Sequence, residues 1–280
     1  MSLIMALFLG LVQGISEFLP ISSSGHLSIL QNLLTLDYTE DDHLLFSVFL
    51  HLGTMISIIA AYRRELKAMI SEGIAFLRMR SDADIDEPVV MKPPARAMLF
   101  VIIGTIPMIL AVIFSGIISR LFYATGFIGF ALIMTGAILF VTEKYIKKGK
   151  KTEKTMTLSD ALIIGLVQAV AVIPGLSRSG TTISVGIARG LSGSFAVRFS
   201  LLLSIPAVIG ATIVSLYSAI RGGFNFSNFP VYLVGFIIST VTGFFAIQII
   251  RRLMRKGSFG KFAYYCWGIG ALTIILSMVL

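Results

Sequence analysis

The chain has a single cysteine, Cys266, in 280 residues. Neither an intrachain disulfide nor a cysteine-built zinc site is therefore open to it. Charge is scarce: Asp, Glu, Lys and Arg make up 13% of the chain against 56% hydrophobic residues, and the mean hydropathy is +0.92. Such a composition excludes an ordinary soluble domain. No Lys or Arg precedes Arg63. A cleaved signal peptide, which needs a positive leading segment, is not expected. There is no low-complexity tract, and 280 residues suffice for one membrane domain, 1–280, without a second soluble one. The net charge of +9 comes without aromatic platforms or a folded basic domain, so nucleic acid is not an expected partner.

What charge there is falls unevenly. Of the 23 Lys and Arg residues, seven lie in 63–96, six in 144–154 and five in 251–261. The connecting segments 35–44 and 219–229 hold only Arg221, and 35–44 carries Asp37, Glu40, Asp41 and Asp42. Excess Lys and Arg in short loops marks the cytoplasmic side. Apolar runs at 45–62, 97–118, 123–142, 196–219, 230–250 and 262–280 are long enough to span. Six alternating spans put all three basic segments on one side. Residues 63–80 read as an amphipathic surface helix and Ser81–Pro94 as a polar loop.

Two polar stretches interrupt the apolar sequence, 155 residues apart. Gly10-Leu11-Val12-Gln13 runs on to Pro20-Ile21-Ser22-Ser23-Ser24-Gly25-His26, and Gly165-Leu166-Val167-Gln168 to Pro174-Gly175-Leu176-Ser177-Arg178-Ser179-Gly180-Thr181-Thr182. Interrupting a helix inside a bilayer is costly unless a site is built there. The arms 26–36 and 182–190 are too short to span, and they read as the returning arms of re-entrant helical hairpins. Each half is then a hairpin followed by three spans. An odd number of spans makes the second half upside down, which is the inverted-repeat geometry with a binding site at mid-membrane. The expected fold is an all-α polytopic membrane protein with six transmembrane helices and two re-entrant hairpins, repeated over approximately 1–143 and 156–280.

Of the 14 acidic residues, Glu17 alone lies within an apolar arm. An intramembrane ionisable residue is a functional hypothesis by default. Gln13 shares its helix face at i−4, although an amide there also serves as helix-to-helix glue. His26 moves protons near neutral pH, and a Ser hydroxyl beside a base is a potential nucleophile. Ser22 and Ser24 fit capping or phosphate hydrogen bonding better. His51, on the first span, fits a helix-to-helix hydrogen bond as well as a site role, and His43 fits an exposed position. In the second stretch, Ser177, Arg178, Ser179, Gly180 and Thr182 read as an anion cradle of a planar guanidinium fork, hydroxyls and helix-start amides. Arg189 and Arg198 mark the hairpin's exit. An acid/base half facing an anion-binding half suits phosphoester or diphosphate hydrolysis. A transporter or flippase for a phosphate-bearing substrate is the competing class.

The two motifs resemble those of undecaprenyl-diphosphate phosphatases of the bacitracin-resistance type, over essentially the whole chain. The resemblance implies hydrolysis of undecaprenyl diphosphate to the monophosphate and inorganic phosphate. That reaction recycles a lipid carrier for peptidoglycan synthesis at the outer face of the bacterial plasma membrane and confers bacitracin resistance. It implies Glu17 as the essential carboxylate, His26 as the motif histidine and Ser23 as nucleophile or ligand, with Ser177, Arg178 and Thr182 on phosphate. It also implies a divalent cation, typically Mg2+, and is compatible with a homodimer. Gln13 stands where the family's two-carboxylate version has its first acidic residue. The metal is then expected on Glu17 and largely on the substrate diphosphate.

Overall fold

The computed structural model describes residues 2–33, 40–82, 90–145, 149–222, 228–256 and 259–279. Asp37 and residues 83–89 of the expected loop 81–94 lie outside the described residues, as does the side chain of His43. Among the described residues thirteen α-helices run in the order α1 Leu3–Phe18, α2 Ser23–Leu33, α3 Glu40–Ala61, α4 Arg63–Asp82, α5 Pro93–Thr105, α6 Met108–Ile113, α7 Ser115–Leu121, α8 Thr125–Tyr145, α9 Leu158–Val170, α10 Arg178–Ala188, α11 Gly193–Gly222, α12 Phe229–Lys256 and α13 Phe262–Val279. There is no β-strand among the described residues; one isolated bridge joins Lys151 to Leu191.

Among the described residues five apolar stretches are long enough to cross a membrane: Pro93–Ile113, Thr125–Tyr145, Gly193–Val214, Phe229–Arg255 and Phe259–Val279. Leu45–Ala61 makes a sixth when joined to Arg63–Arg80, from which it is bent by 78°. α4 beyond that bend exposes Ile70, Ile74 and Leu77, the apolar stripe expected of a helix lying in an interface. Two sequence readings need correction. The expected span 97–118 is present as Pro93–Ile113, with its ladder interrupted at Pro107, which has no N–H, and it ends earlier because α6 and α7 part at Phe114. The span expected at 230–250 continues to Lys256, since Arg251, Arg252 and Arg255 remain helical after hydropathy has ended. The return arms also begin earlier than the expected 26 and 182, at Ser23 and Arg178.

The helices pack reciprocally between the halves. α1 lies on α12 as α9 lies on α5, α3 packs on α12 as α11 packs on α5, and α8 meets α13. Glycines permit the closest approaches. A Cβ on Gly10 would sit 2.9 Å from the carbonyl oxygen of Gly235, and one on Gly165 would sit 2.1 Å from that of Gly104. Gly129 and Gly270 face each other at the α8–α13 crossing, each allowing the other's backbone close. Small residues at such contacts are the usual means of helix packing in lipid.

The three basic segments adjoin at one end of the molecule. Arg96 donates to the carbonyls of Glu153 and Met156, and Arg251 lies over the Tyr62 ring, 4.4 Å from its centroid. Lys151 and Arg189 both reach Asp160 at 2.9 Å, so the second hairpin has its aqueous ends at the basic side. Asn32, near the end of α2, instead donates to the Phe122 carbonyl and the Thr125 hydroxyl.

Candidate active site

The site lies where the two hairpin tips touch. Pro20 ends the first arm: the residue before a proline is pushed out of the helical region, and Leu19 is extended at φ −72°, ψ 147°. Ser22 follows at φ +68°, the only non-glycine with positive φ among the described residues. Its hydroxyl accepts from the Gly25 amide at 3.2 Å, an N-cap for α2. In the second tip Gly175 takes φ +93°, and a Cβ there would lie 2.5 Å from the Ile128 carbonyl oxygen of α8. Only glycine fits both demands. Ser177 caps α10 by accepting from the Gly180 amide at 3.1 Å.

Each tip is held by the rest of the fold and by the other. The Thr135 hydroxyl of α8 donates to the Gly175 carbonyl at 2.9 Å and accepts from the Ser177 amide at 3.0 Å. Gly25 faces Gly175, where an added Cβ would stand 3.0 Å from its Cα. The Ser179 hydroxyl donates to the Leu19 carbonyl at 3.3 Å, and that of Ser22 to the Leu176 carbonyl at 3.4 Å. The Cys266 thiol donates to the Pro20 carbonyl at 3.6 Å.

At this junction Glu17, 6% exposed, gathers the polar groups. Its Oε1 is paired with the Arg178 guanidinium of the other tip. Its Oε2 accepts from Gln13 Nε2 at 3.0 Å and from Ser23 Oγ at 2.6 Å. The bond from Nε2 fixes the orientation of the Gln13 amide, because its oxygen facing the carboxylate would be repelled. Gln13 Oε1 is consequently left buried without a hydrogen-bond partner. His51 Nε2 stands 3.9 Å from Glu17 Oε2. The histidine beside the carboxylate is thus His51, on α3.

His26 is engaged elsewhere. Its Nδ1 is 2.7 Å from the Ser22 carbonyl and its Nε2 2.8 Å from the Tyr265 hydroxyl, with the two rings stacked at 5.6 Å and 8°. A carbonyl only accepts, so neutral His26 carries its proton on Nδ1 and Nε2 accepts from Tyr265. Of the remaining predicted residues, Ser24 touches the Ser22 hydroxyl at 3.4 Å. Thr182 spends its hydroxyl on the Arg178 carbonyl at 2.7 Å and on Ser200 at 2.6 Å. Ser177, Ser179 and Thr182 are all buried, and they cap α10 or fasten it to its neighbours. Arg178 is the one side chain of the second motif that reaches Glu17. Thr135 and Tyr265 were not singled out from sequence, and nothing in their apolar surroundings marks them.

Among the described residues no group of three or more His, Cys, Asp and Glu side chains is placed to hold a metal. The oxygens available to a hard cation are those of Glu17 and the orphaned Gln13 Oε1.

The sequence matches, over residues 6–272, the family described as bacitracin resistance protein BacA. It is 36% identical over 274 residues to an undecaprenyl-diphosphatase of Carboxydothermus hydrogenoformans, covering 97% of this chain and 96% of that one. An undecaprenyl-diphosphatase of Methanosphaera stadtmanae is 38% identical over 283 residues, with both chains covered completely. One from Halothermothrix orenii is 35% identical over 278 residues, covering 99% of each.

Proposed function

The chain belongs to the bacitracin resistance protein BacA family, and on that premise we infer that it is an undecaprenyl-diphosphatase, a multi-pass membrane enzyme acting on a lipid diphosphate. One observation carries the chemistry: Glu17 holds the Ser23 hydroxyl at 2.6 Å while paired with Arg178 from the other tip. A nucleophile within hydrogen-bond reach of a base that a third group orients is the arrangement of covalent catalysis.

In this reading Ser23 Oγ attacks the terminal phosphorus and its proton passes to Glu17. The bond from that phosphorus to the bridging oxygen breaks, and undecaprenyl phosphate departs. Water then attacks the phosphoserine, inorganic phosphate leaves and the Ser23 hydroxyl is restored. Arg178 uses one amino group on Glu17, and its other N–H groups are free to fork onto phosphate oxygens. α2 and α10 both start at the junction, so the open amides of their first turns and their positive dipole ends favour an anion there. His26 and Tyr265 form a second proton-handling pair. Gln13 holds Glu17 in place, and the hydroxyls of Ser22, Ser24, Ser177, Ser179 and Thr182, with Gly180, shape the cradle.

A divalent cation such as Mg2+ would be held by Glu17 and Gln13 Oε1, with diphosphate oxygens as its other ligands. When bound it offsets phosphate charge. The inverted-repeat arrangement is supported by the reciprocal packing of the halves. An outward-opening site is supported by the basic segments gathering at the opposite end from Asn32, where α2 finishes.

The test is phosphate release by purified protein from a C55 lipid diphosphate, with and without a chelator. Release that stops on chelation and returns with Mg2+ is expected. Absence of release under all conditions would return the protein to the transporter class.

A further inference from the structure

At the basic end four cations have carboxylate partners among the described residues. Lys151 and Arg189 share Asp160, Arg198 pairs with Glu153 at 2.5 Å and Lys92 with Glu72 at 2.9 Å. The junction of α3, α4 and α12 is different. There a cavity of about 590 Å³ is lined by Arg63, Arg64, Arg251, Arg252 and Arg255, with Glu65 as its single acidic residue. None of the five guanidinium groups has a carboxylate partner among the described residues. Five like charges around one cavity repel one another, and an anion between them removes that repulsion.

The fold builds this cluster from two directions. The 78° bend at Tyr62 turns the first residues of α4 toward the last turns of α12. Arg251 is fixed over the Tyr62 ring. On α12 the cavity is lined by Phe244, Gln248, Arg251 and Arg255, spaced by three or four residues and so forming one stripe. The same stripe continues away from the charges through exposed Val241 and Ile237. Ala60 and Ala61 form the facing wall on α3, with exposed Ile56 one turn below Ala60. A charged cavity thus opens onto an apolar track running into the bilayer.

We propose that this cavity is a headgroup site for an anionic phospholipid of the leaflet at the basic end, with its acyl chains along α3 and α12. Basic pockets between membrane helices on the cytoplasmic side take anionic headgroups, and the guanidinium fork matches phosphate oxygens. Free phosphate would satisfy the arginines but leave the apolar track unused, so the lipid is the better-matched occupant. The site shares no residue with the hairpin-tip junction and does not depend on the phosphatase reading.

Native mass spectrometry of the detergent-solubilised full chain tests this, with phosphatidylglycerol, phosphatidylcholine or inorganic phosphate titrated in separate arms. The wild type is expected to retain one phosphatidylglycerol at concentrations where neither phosphatidylcholine nor phosphate binds. Arg252→Gln/Arg255→Gln should weaken that binding at least tenfold and leave phosphate release from a lipid diphosphate within about twofold. Glu65→Gln removes the one opposing charge and should tighten it. Equal retention of phosphatidylcholine, or wild-type affinity in the double variant, would overturn the proposal. Inorganic phosphate binding as tightly as the lipid would also overturn it, by showing an ion site instead. Should the double variant fail to fold, an unchanged affinity in Glu65→Gln would overturn it alone.

Discussion

Glu17 accepts three hydrogen bonds at once, from Gln13, Ser23 and Arg178, and each donor makes a separate demand on a variant. Glu17→Gln keeps the shape but neither takes the Ser23 proton nor balances Arg178, so phosphate release should fall by on the order of 10²–10³ and stay measurable. Gln13→Ala removes one neutral bond to the carboxylate and one neutral oxygen offered to the cation, and should slow turnover by about tenfold or less. Arg178→Lys should fail almost as badly as Arg178→Ala, because lysine keeps the charge and loses the planar fork. Loss of transition-state stabilisation of this kind costs on the order of 10²–10³ in rate. It should appear in kcat far more than in KM; near-normal kcat in the lysine variant would reduce Arg178 to a diffuse field or a hairpin anchor. Glu17 and Arg178 were legible in the sequence because a charge inside an apolar hairpin is costly unless a site uses it. Tyr265 was not, since its partner His26 is 239 positions away and an aromatic in an apolar run carries no signal of its own. The hydroxyl of Thr182 was read as facing phosphate, whereas the fold directs it to Ser200, a contact that only helix packing decides.

Helices α2 and α10 can begin at the junction of the two tips because each tip is capped and braced. Ser22 and Ser177 supply the caps, and Thr135 fastens the second tip to α8. Gly175→Ala meets a strained φ and the Ile128 carbonyl together. It should destabilise the protein by more than about 2 kcal/mol, seen as a lowered Tm, and abolish phosphate release even though no catalytic group is touched. An unchanged Tm and rate would mean that the tip is looser than described. Thr135→Val, by removing both tip contacts, should slow turnover with a smaller loss of Tm. The hairpins were legible at this scale because Pro, Gly and Ser cluster where apolar sequence cannot tolerate them without a purpose. The break at Pro107 was passed over because hydropathy runs through a proline undisturbed, while the backbone ladder does not. The length of α12 was underestimated for the converse reason: its arginines end the apolar run without ending the helix.

The reciprocal packing of the two halves is what brings Glu17 from one into contact with Arg178 from the other. The sequence points toward a repeat through its duplicated motifs and the placement of its basic loops. It did not announce which helices would pair, because the close glycine contacts at Gly165–Gly104 and Gly129–Gly270 are set by three-dimensional fit. Sidedness has its own check. In a Cys266→Ala background, a cysteine placed at exposed Lys150 should react with a membrane-impermeant thiol reagent only from the cytoplasmic face. Labelling from outside would overturn the inverted arrangement. The most direct measurement of the central claim, that the two tips form one catalytic unit, is a double-mutant cycle on phosphate release. Glu17→Gln, Arg178→Ala and the double variant would be assayed together on a C55 lipid diphosphate. Groups acting as one unit are strongly non-additive, so the double variant should lose about as much activity as either single variant. Losses that instead multiply, each tip contributing independently of the other, would contradict the account.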